Sequence, residues 1–543
     1  MKIPNAADIK NIDLLAQKKY NIPGIILMEN AGRSSKKIIE KYFGSLDGSL
    51  EKKKIIVFAG HGNNGGDGLC LARHLGFISL AQVKIFLLSS PDKFKNEAKI
   101  NLDILQKSGF DITLLTQKNI YTAEKYLPSS SSTPKTKSFR ISSSIDELGL
   151  QDCDLIIDSI FGIGFHGIMP YFHQKVIESI NKSQKTVISI DIPSGINADT
   201  GGIETIAVKA NLTITMELPK PGLFLPPAVD CTGRLEIVKL GYPPELVNNP
   251  KITTNLLEEK DILPLIPSWP ASAHKGARGK VLIIAGSKNY IGAPFLAAQA
   301  ALKSGAGLVN LAIPKSLYSP LAKRVTEVIL HPMPETENKS FALSSLEKIL
   351  KLSEKNDAVL MGPGMSQDNE TKILIKNLIK KIKKPLIIDA DGLNSLSENM
   401  SILKERCYPT LLTPHPGEMA RLLNSNADNV QKNRLVVSKQ FSKTFKAYLV
   451  LKGAYSIISL PDGKQFINPT GNPGMAQAGM GDVLAGMIVS FLGQKLSPAD
   501  AIKLACFLHG KTGDLLAEKK GPTGFTAKDL TEYLYKTMIL LKF

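Results

Sequence analysis

Four stretches of the chain join glycines to carboxylate, amide or hydroxyl side chains in patterns that suit chemistry on phosphates. The most informative is NPTGNPGMAQAGMGDVLAGMIVSFL (468–492), in which Gly479 and Gly481 form a turn that runs into an apolar helix beginning near Asp482. Glycines let a backbone approach a phosphate closely, and a helix start offers unpaired N–H groups at the positive end of its dipole. An aspartate there faces the same spot and can take the proton from a hydroxyl that attacks the phosphate. Alone, Asp482 reads more readily as the N-cap of a buried helix; its neighbouring motifs reverse that preference. The second stretch, VFAGHGNNGGDGLCLARHL (57–75), is a strand, a turn of Gly, Asn and Asp, and an amphipathic helix. It lacks GxGxxG with a downstream ribose-binding acid, which disfavours an ordinary hydride-transferring enzyme, but it fits a phosphate-binding nest at a helix start. DSIFGIGFHG (158–167) and DIPSGINADTG (191–201) place two more carboxylates, Asp158 and Asp191, at strand ends, where either could also be a simple cap.

These loops need a scaffold that presents them together. Short β-branched runs alternate with longer helical patterns: KIIVFAG (54–60), VKIFLLS (83–89), DLIIDSI (154–160), TVISIDI (186–192) and NLTITME (211–217). The same logic returns in KVLIIAGS (280–287), GLVNLAI (307–313), DAVLMGPG (357–364), PLIIDADGLN (385–394), TLLTPHPGE (410–418), AYLVLKG (447–453) and SIISL (456–460). Such alternation predicts parallel βαβ units, so the fold class is α/β, with two domains that each carry a mainly parallel sheet covered by helices. Almost every strand ends in Gly, Asp, His or Pro, and ligands of such sheets bind beyond the carboxyl ends of the strands. The Pro- and Asn-rich GYPPELVNNPKITTN (241–255) predicts a linker, with domains at 1–245 and 256–543. SSSSTPKTKSFRISSS (129–144) is too polar to pack and predicts a mobile surface loop.

Composition removes several classes of function. Five widely spaced cysteines without a CxxC pair argue against a disulfide framework or a zinc site and fit a reducing compartment. The N-terminus has no apolar signal region and no apolar run approaches the ~18 residues of a membrane span. A cytoplasmic protein without membrane contact is expected. The net charge of +18 invites a nucleic-acid reading, but the lysines are dispersed and KNLIKKIKK (376–384) has the spacing of a solvated helix face. Without basic–aromatic interleaving, anionic small molecules are the expected partners rather than nucleic acid.

GMGD followed by an apolar helix resembles the anion-hole motif of the ribokinase-like superfamily, where the aspartate is the base for phosphoryl transfer. Within it, GNPGMAQAGMGDVLAG (471–486) with HPGE (415–418), GPG (362–364), DADGLN (389–394) and HKG (274–276) is similar to the NAD(P)H-hydrate dehydratase family, over essentially the whole C-terminal half and in the family's order. The resemblance implies a ribokinase-like domain that transfers phosphate from ADP, with Mg²⁺, to the C6 hydroxyl of hydrated NADH or NADPH, after which phosphate leaves and the ring double bond returns. It implies Asp482 as the base, with Gly481 and the turn before it holding the nucleotide phosphates. Ala293, Gly364 and His415 would contact the hydrated cofactor; Lys452, Gly453, Ala454, Tyr455 and Ser456 would contact the adenine nucleotide. Lys275 either closes over phosphates or sits in a solvated loop, and Asp389 and Asn394 are expected as structural supports. Gln477 stands where relatives often have Thr or a similar small residue, a departure that bears on nucleotide preference. A vitamin or sugar kinase is the alternative for this half, against which HPGE and the fused N-terminal half both argue.

GNNGGDG, the Asp158 loop and DIPSGINADTG together resemble the NAD(P)H-hydrate epimerase family over nearly all of residues 1–240, and NIPGIILMENAG (21–32) is similar to that family's first helix. This implies a Rossmann-like domain in which Asn64, Asp158 and Ser194 bind K⁺, hard oxygen ligands that suit an alkali ion rather than a transition metal. Asn63, Asn64, Gly65, Gly66 and Asp67, with Gly162, Ile163, Gly164, Phe165, His166, Gly167 and Ile168, would bind the hydrated cofactor, as would Asp191, which is also the candidate for moving protons. Relatives usually read GTGLxG where this chain has GIGFHG, so Ile163 removes a hydroxyl and Phe165 adds bulk. A dinucleotide-sensing module without catalysis is the alternative for this half. A homo-oligomer is expected.

Overall fold

The computed structural model describes residues 1–44, 49–116, 140–142 and 148–542, with the side chains of 140–142 excepted. The chain divides into two compact units, Lys2–Ile252 and Thr253–Phe543, the second including Met1. Both are α/β.

In the first unit β1 (Lys54–Ala59), β2 (Gln82–Leu87), β3 (Asp111–Leu115), β4 (Arg140–Ser142), β5 (Leu155–Ser159), β6 (Thr186–Ile190), β7 (Leu212–Met216) and β8 (Arg234–Val238) form one parallel sheet. Its order is β4-β3-β2-β1-β5-β6-β7-β8. The central runs are apolar at nearly every position because both faces are covered. Ile55, Val57 and Ala59 face Leu69, Leu75 and Leu102 of the helices Asn63–Phe77 and Asn96–Lys107. Ile56 and Phe58 face Val176 and Ile180 of the helix Tyr171–Lys182. Strand order reverses between β1 and β5, and the loops after these two strands diverge to leave a crevice.

The second unit contains β9 (Thr254–Leu256), β10 (Lys280–Ile284), β11 (Leu308–Pro314), β12 (Ile329–Met333), β13 (Ala358–Met361), β14 (Leu386–Ile388), β15 (Thr410–Leu412), β16 (Tyr448–Leu451), β17 (Ile457–Ser459) and β18 (Gln465–Ile467). The order is β12-β11-β10-β13-β14-β15-β16-β17-β18-β9, parallel from β12 to β16, with β17 antiparallel to both its neighbours. Here the reversal lies between β10 and β13. The helix Met480–Gly493 is apolar almost all round, with every residue from Val483 to Gly493 buried, as a helix sandwiched between a sheet and other helices must be.

The sheets extend further than the sequence patterns suggested. Arg140–Ser142 of the Ser-rich stretch pairs with β3; the rest of 129–144 lies outside the described residues. Thr254 and Asn255 of the expected linker belong to β9, which pairs in parallel with β18, while Pro244–Val247 forms one helical turn. Among the described residues no helix is long and apolar enough to cross a membrane. All five cysteines are free: Cys70, Cys153, Cys231 and Cys506 are buried and Cys407 is exposed.

Candidate functional sites

The first unit encloses a cavity of about 1140 Å³ beyond the carboxyl ends of its strands, walled by loops after β1, β2, β5 and β7. After β1 the chain turns directly into the helix Asn63–Phe77, whose N-cap is Gly62 and whose first N–H groups receive no side-chain cap. Such an end attracts anions. A Cβ on Gly65 would lie 1.7 Å from the Gly60 carbonyl oxygen, so only glycine lets this turn fold back onto the end of β1.

Behind the turn lies a web of oxygens. Asp158 has no exposed surface. Its Oδ1 accepts from Ser194 Oγ at 2.5 Å and the Ile160 N–H at 3.3 Å. Its Oδ2 accepts from Ser189 Oγ at 2.7 Å and the Ser194 N–H at 2.9 Å. Burial pushes the carboxyl up, against the pull of the Ser194 and Ser189 bonds. The Phe161 N–H donates to Ser194 Oγ at 2.9 Å, and Asn64 donates through Nδ2 to the Phe161 carbonyl at 2.9 Å. Asn64 Oδ1 is buried with no hydrogen-bond partner among the described residues. An oxygen left in that state is costly unless a cation or a donor meets it.

On the β6–β7 side Asp191 is held at φ 67°, a left-handed backbone that is uncommon for a non-glycine residue. Its carboxylate accepts from the Met216 N–H at 3.1 Å and from the ammonium of Lys220, a side chain that is only 1% exposed. Lys220 is also fixed by Thr215 Oγ1 at 2.9 Å and the Met216 carbonyl at 3.2 Å. Burial, reinforced by Asp191 and Asp13 and opposed by Lys220, holds the Asp67 carboxyl well above the usual carboxylate range. Tyr242 donates to Asp13, whose carboxyl burial also raises. The cavity therefore gathers Asn63, Asn64, Asp67, Gly162, Ile163, Gly164, Phe165, His166 and Asp191. Gly65 and Gly66 are buried beneath the turn, while Gly167 and the 81% exposed Ile168 stand off the wall. Lys220, Asp13 and Tyr242 had no signal beyond a lysine between two prolines in LPKPG and two isolated polar residues.

In the second unit Gly479, at φ 89°, caps the helix Met480–Gly493 without a side-chain bond, and Asp482 lies in its first turn. Lys452, at the end of β16, reaches over this turn: a Cβ on Gly481 would sit 3.3 Å from Lys452 Nζ and 3.9 Å from Asp389 Oδ2. Lys452 bonds Asp389 Oδ1 at 2.9 Å and approaches Glu418 at 3.9 Å. Burial works against its charge, but Asp389 and Glu418 outweigh burial and leave the ammonium more firmly protonated. Burial, then the neighbouring Asp389, lifts the Asp482 carboxyl to about 7, with Lys452 opposing. His509 is pushed down to about 4 by burial, so it is neutral and donates its Nε2–H to the Met480 carbonyl at 3.0 Å.

His415 caps the helix Pro416–Leu422 through Nδ1, which accepts from the Gly417 N–H at 3.0 Å, while Glu418 returns a bond to the His415 N–H at 2.8 Å. The Gly364 backbone packs against Ala293, bringing the loop after β13 to the helix Gly292–Lys303. The Lys452–Ser456 loop is underpinned by the buried Arg434, which donates to the Leu451 carbonyl at 3.3 Å; Ala454 is exposed and Ser456 bonds Gly453 O at 3.0 Å. Lys275 is exposed. Asn394 accepts from Arg421 at 2.8 Å, and Asp389, 1% exposed, accepts from the Lys452 ammonium and so holds it beside the helix start.

Residues 281–536 match the NAD(P)H-hydrate dehydratase family, and residues 24–222 match the family described as YjeF-related protein N-terminus. A bifunctional NAD(P)H-hydrate repair enzyme of Moorella thermoacetica is 40% identical over 534 residues, which is 98% of this chain and 96% of that one. The chain belongs to the bifunctional NAD(P)H-hydrate repair enzymes. Another such repair enzyme, from Thermofilum pendens, is 38% identical over 542 residues, 100% of this chain and 97% of its own. The ADP/ATP-dependent NAD(P)H-hydrate dehydratase of Bacillus subtilis, co-crystallised with ATP and Mg²⁺, is 27% identical, with a TM-score of 0.47, over 53% of this chain and 98% of that one.

Proposed function

We propose that Lys2–Ile252 epimerises hydrated NADH and NADPH and that Thr253–Phe543 dehydrates the S epimer at the expense of ADP. The observation that carries the second half is the Asp482 carboxyl, raised to about 7, at an open helix start under the Lys452 ammonium. The C6 hydroxyl of the substrate attacks the terminal phosphorus of ADP while Asp482 takes its proton, and AMP leaves. The N–H groups at Met480–Asp482 and Lys452 stabilise the charge that builds on the transferring phosphoryl oxygens. Phosphate then departs from C6 with the ring nitrogen's lone pair pushing, and loss of a proton from C5 restores the double bond. Hydroxide is a poor leaving group and phosphate a good one, which explains how a kinase-like site can run a dehydration. Magnesium on the nucleotide would neutralise phosphate charge, and the carboxylates of Asp389 and Asp482 beside the Gly481 turn would offer it hard oxygens.

In the first unit, inversion at C6 is routed through its C–O bond, because the ring nitrogen on the same carbon stabilises the cation that forms. The raised carboxyl of Asp67 protonates the hydroxyl, water leaves as the ring nitrogen forms a C=N bond, and water returns to either face, giving its proton to Asp191. Lys220 holds Asp191 in place. The unpaired Asn64 oxygen, with Asp158 and Ser194, fits a potassium ion, which supplies a fixed positive charge beside the anionic substrate. The test is direct. Hydrated NADH supplied with ADP regains the absorbance of NADH, and a mixture of epimers is consumed completely. Consumption that stops at the S fraction would refute the epimerase, and no return of absorbance with either ADP or ATP would refute the dehydratase.

A further inference from the structure

The cavity of the first unit has two chemically different ends. Toward β6 and β7 stand Asp67, Asp191 and Lys220, groups able to exchange protons. Toward β2 the wall is basic and aromatic. His61 Nδ1 lies 3.0 Å from Ser89 Oγ, just beyond the end of β2, and Lys93 lies in the following turn, Pro91–Lys93, with no ion pair among the described residues. Burial, and then the nearby His61 and Lys93, disfavour the charge of His173 on the helix Tyr171–Lys182, and its Nδ1 is buried without a hydrogen-bond partner among the described residues. The nearby Asp92 carboxylate accepts from Ser90. Behind these groups the Phe161 ring lies 4.7 Å from Phe165 and 5.1 Å from His173.

A hydrated dinucleotide has three parts to distribute over this surface. Its hydrated ring carries sp³ carbons, stacks poorly, and must meet the proton-handling groups at the β6–β7 end. Its pyrophosphate suits the uncapped start of the helix at Asn63, midway between the ends. Adenosine, with the one aromatic ring system of the substrate, is left for the Phe161–Phe165–His173 wall at the β2 end. With the pyrophosphate charge met elsewhere, the Lys93 ammonium and the ring N–H donors of His61 and His173 have no phosphate to meet in hydrated NADH. They have one in hydrated NADPH, the phosphate monoester on the adenosine ribose.

We propose that His61, Lys93 and His173 bind that ribose phosphate and make the epimerase select hydrated NADPH over hydrated NADH. The inference rests on the epimerase reading above. The test compares kcat/KM for epimerisation of the two hydrates by the full chain. Wild type favours the NADPH form, and Lys93→Ala and His61→Ala each lower that preference by about tenfold, the worth of one charge-assisted phosphate contact. Lys93→Glu lowers it further, to below parity. Equal losses for both hydrates, or no change in the ratio, would overturn the proposal. Calorimetry with adenosine 2′,5′-bisphosphate against adenosine 5′-phosphate gives a readout apart from turnover: Lys93→Ala weakens only the bisphosphate, and equal weakening of both counts against the site. A wild-type chain that epimerises neither hydrate defeats the epimerase reading itself, while the calorimetric comparison still decides for or against the phosphate site.

Discussion

Asp482 sits in a recess that disfavours its charge, and that has two consequences of opposite sign. Its folded value, about 7, exceeds the ordinary 3.8, so below about 7 the carboxyl is protonated and useless as a base. Dehydration kcat/KM should therefore climb with pH through about 7 and level off above it. Replacing it, Asp482→Asn, should lower dehydration by roughly 10²–10⁴-fold and leave epimerisation intact; a near-wild-type rate would demote Asp482 to a helix cap. Stability moves the other way. The raised value means the folded state loses stability as pH rises through about 7, so Asp482→Asn should melt higher than wild type above that pH, with the gap closing as pH falls toward 3.8. In the first unit, potassium-free buffer should slow epimerisation, with K⁺ restoring it better than the smaller Na⁺. Indifference to K⁺ would give the unpaired Asn64 oxygen another role. Asp482, Asn64 and Asp158 were legible as positions because glycine-rich turns beside them mark a helix start or a strand end, and the family resemblance then supplied their expected roles. Lys220 was not: nothing in a sequence says that one lysine among many is buried against an aspartate.

Helices and strands position these groups with small margins. A Cβ on Gly486 would approach the Ala297 carbonyl oxygen to 2.3 Å and the Ala300 Cβ to 2.9 Å, so the helices Met480–Gly493 and Gly292–Lys303 touch at a point that a backbone atom cannot yield. Gly486→Val should destabilise the second unit by about 1–3 kcal/mol, lower its melting temperature, and raise KM for ADP because the phosphate-binding start of the helix moves with it. An unchanged melting curve would show that the two helices separate without cost. The central strands were readable as unbroken apolar runs because both faces are buried, as at Ile55–Phe58 and Val281–Ile284. The edge and near-edge strands escaped notice for the converse reason. β8 (RLEIV) carries an exposed Arg234 and three half-buried residues, β12 contains Pro332, and β9 and β18 are three residues each, too short for any alternation to register.

At the scale of the whole molecule, the two units should separate with their chemistry. A fragment beginning at Thr253 keeps β9 against β18, whereas one beginning at Glu258 exposes the β18 edge, which invites aggregation. The longer fragment should be the more soluble and should retain ADP-dependent dehydration; equal solubility would make β9 dispensable. The distribution of the five thiols also turns the native chain into its own unfolding reporter. Cys407 should react with a maleimide at once, whereas Cys70, Cys153 and Cys231 are sealed in the first unit and Cys506 in the second. Pulse alkylation during a denaturant ramp, read by peptide mass, would then time the opening of each half separately in a single unlabelled, unmutated sample. It would show whether a bound nucleotide, added with Mg²⁺, delays the modification of Cys506 alone.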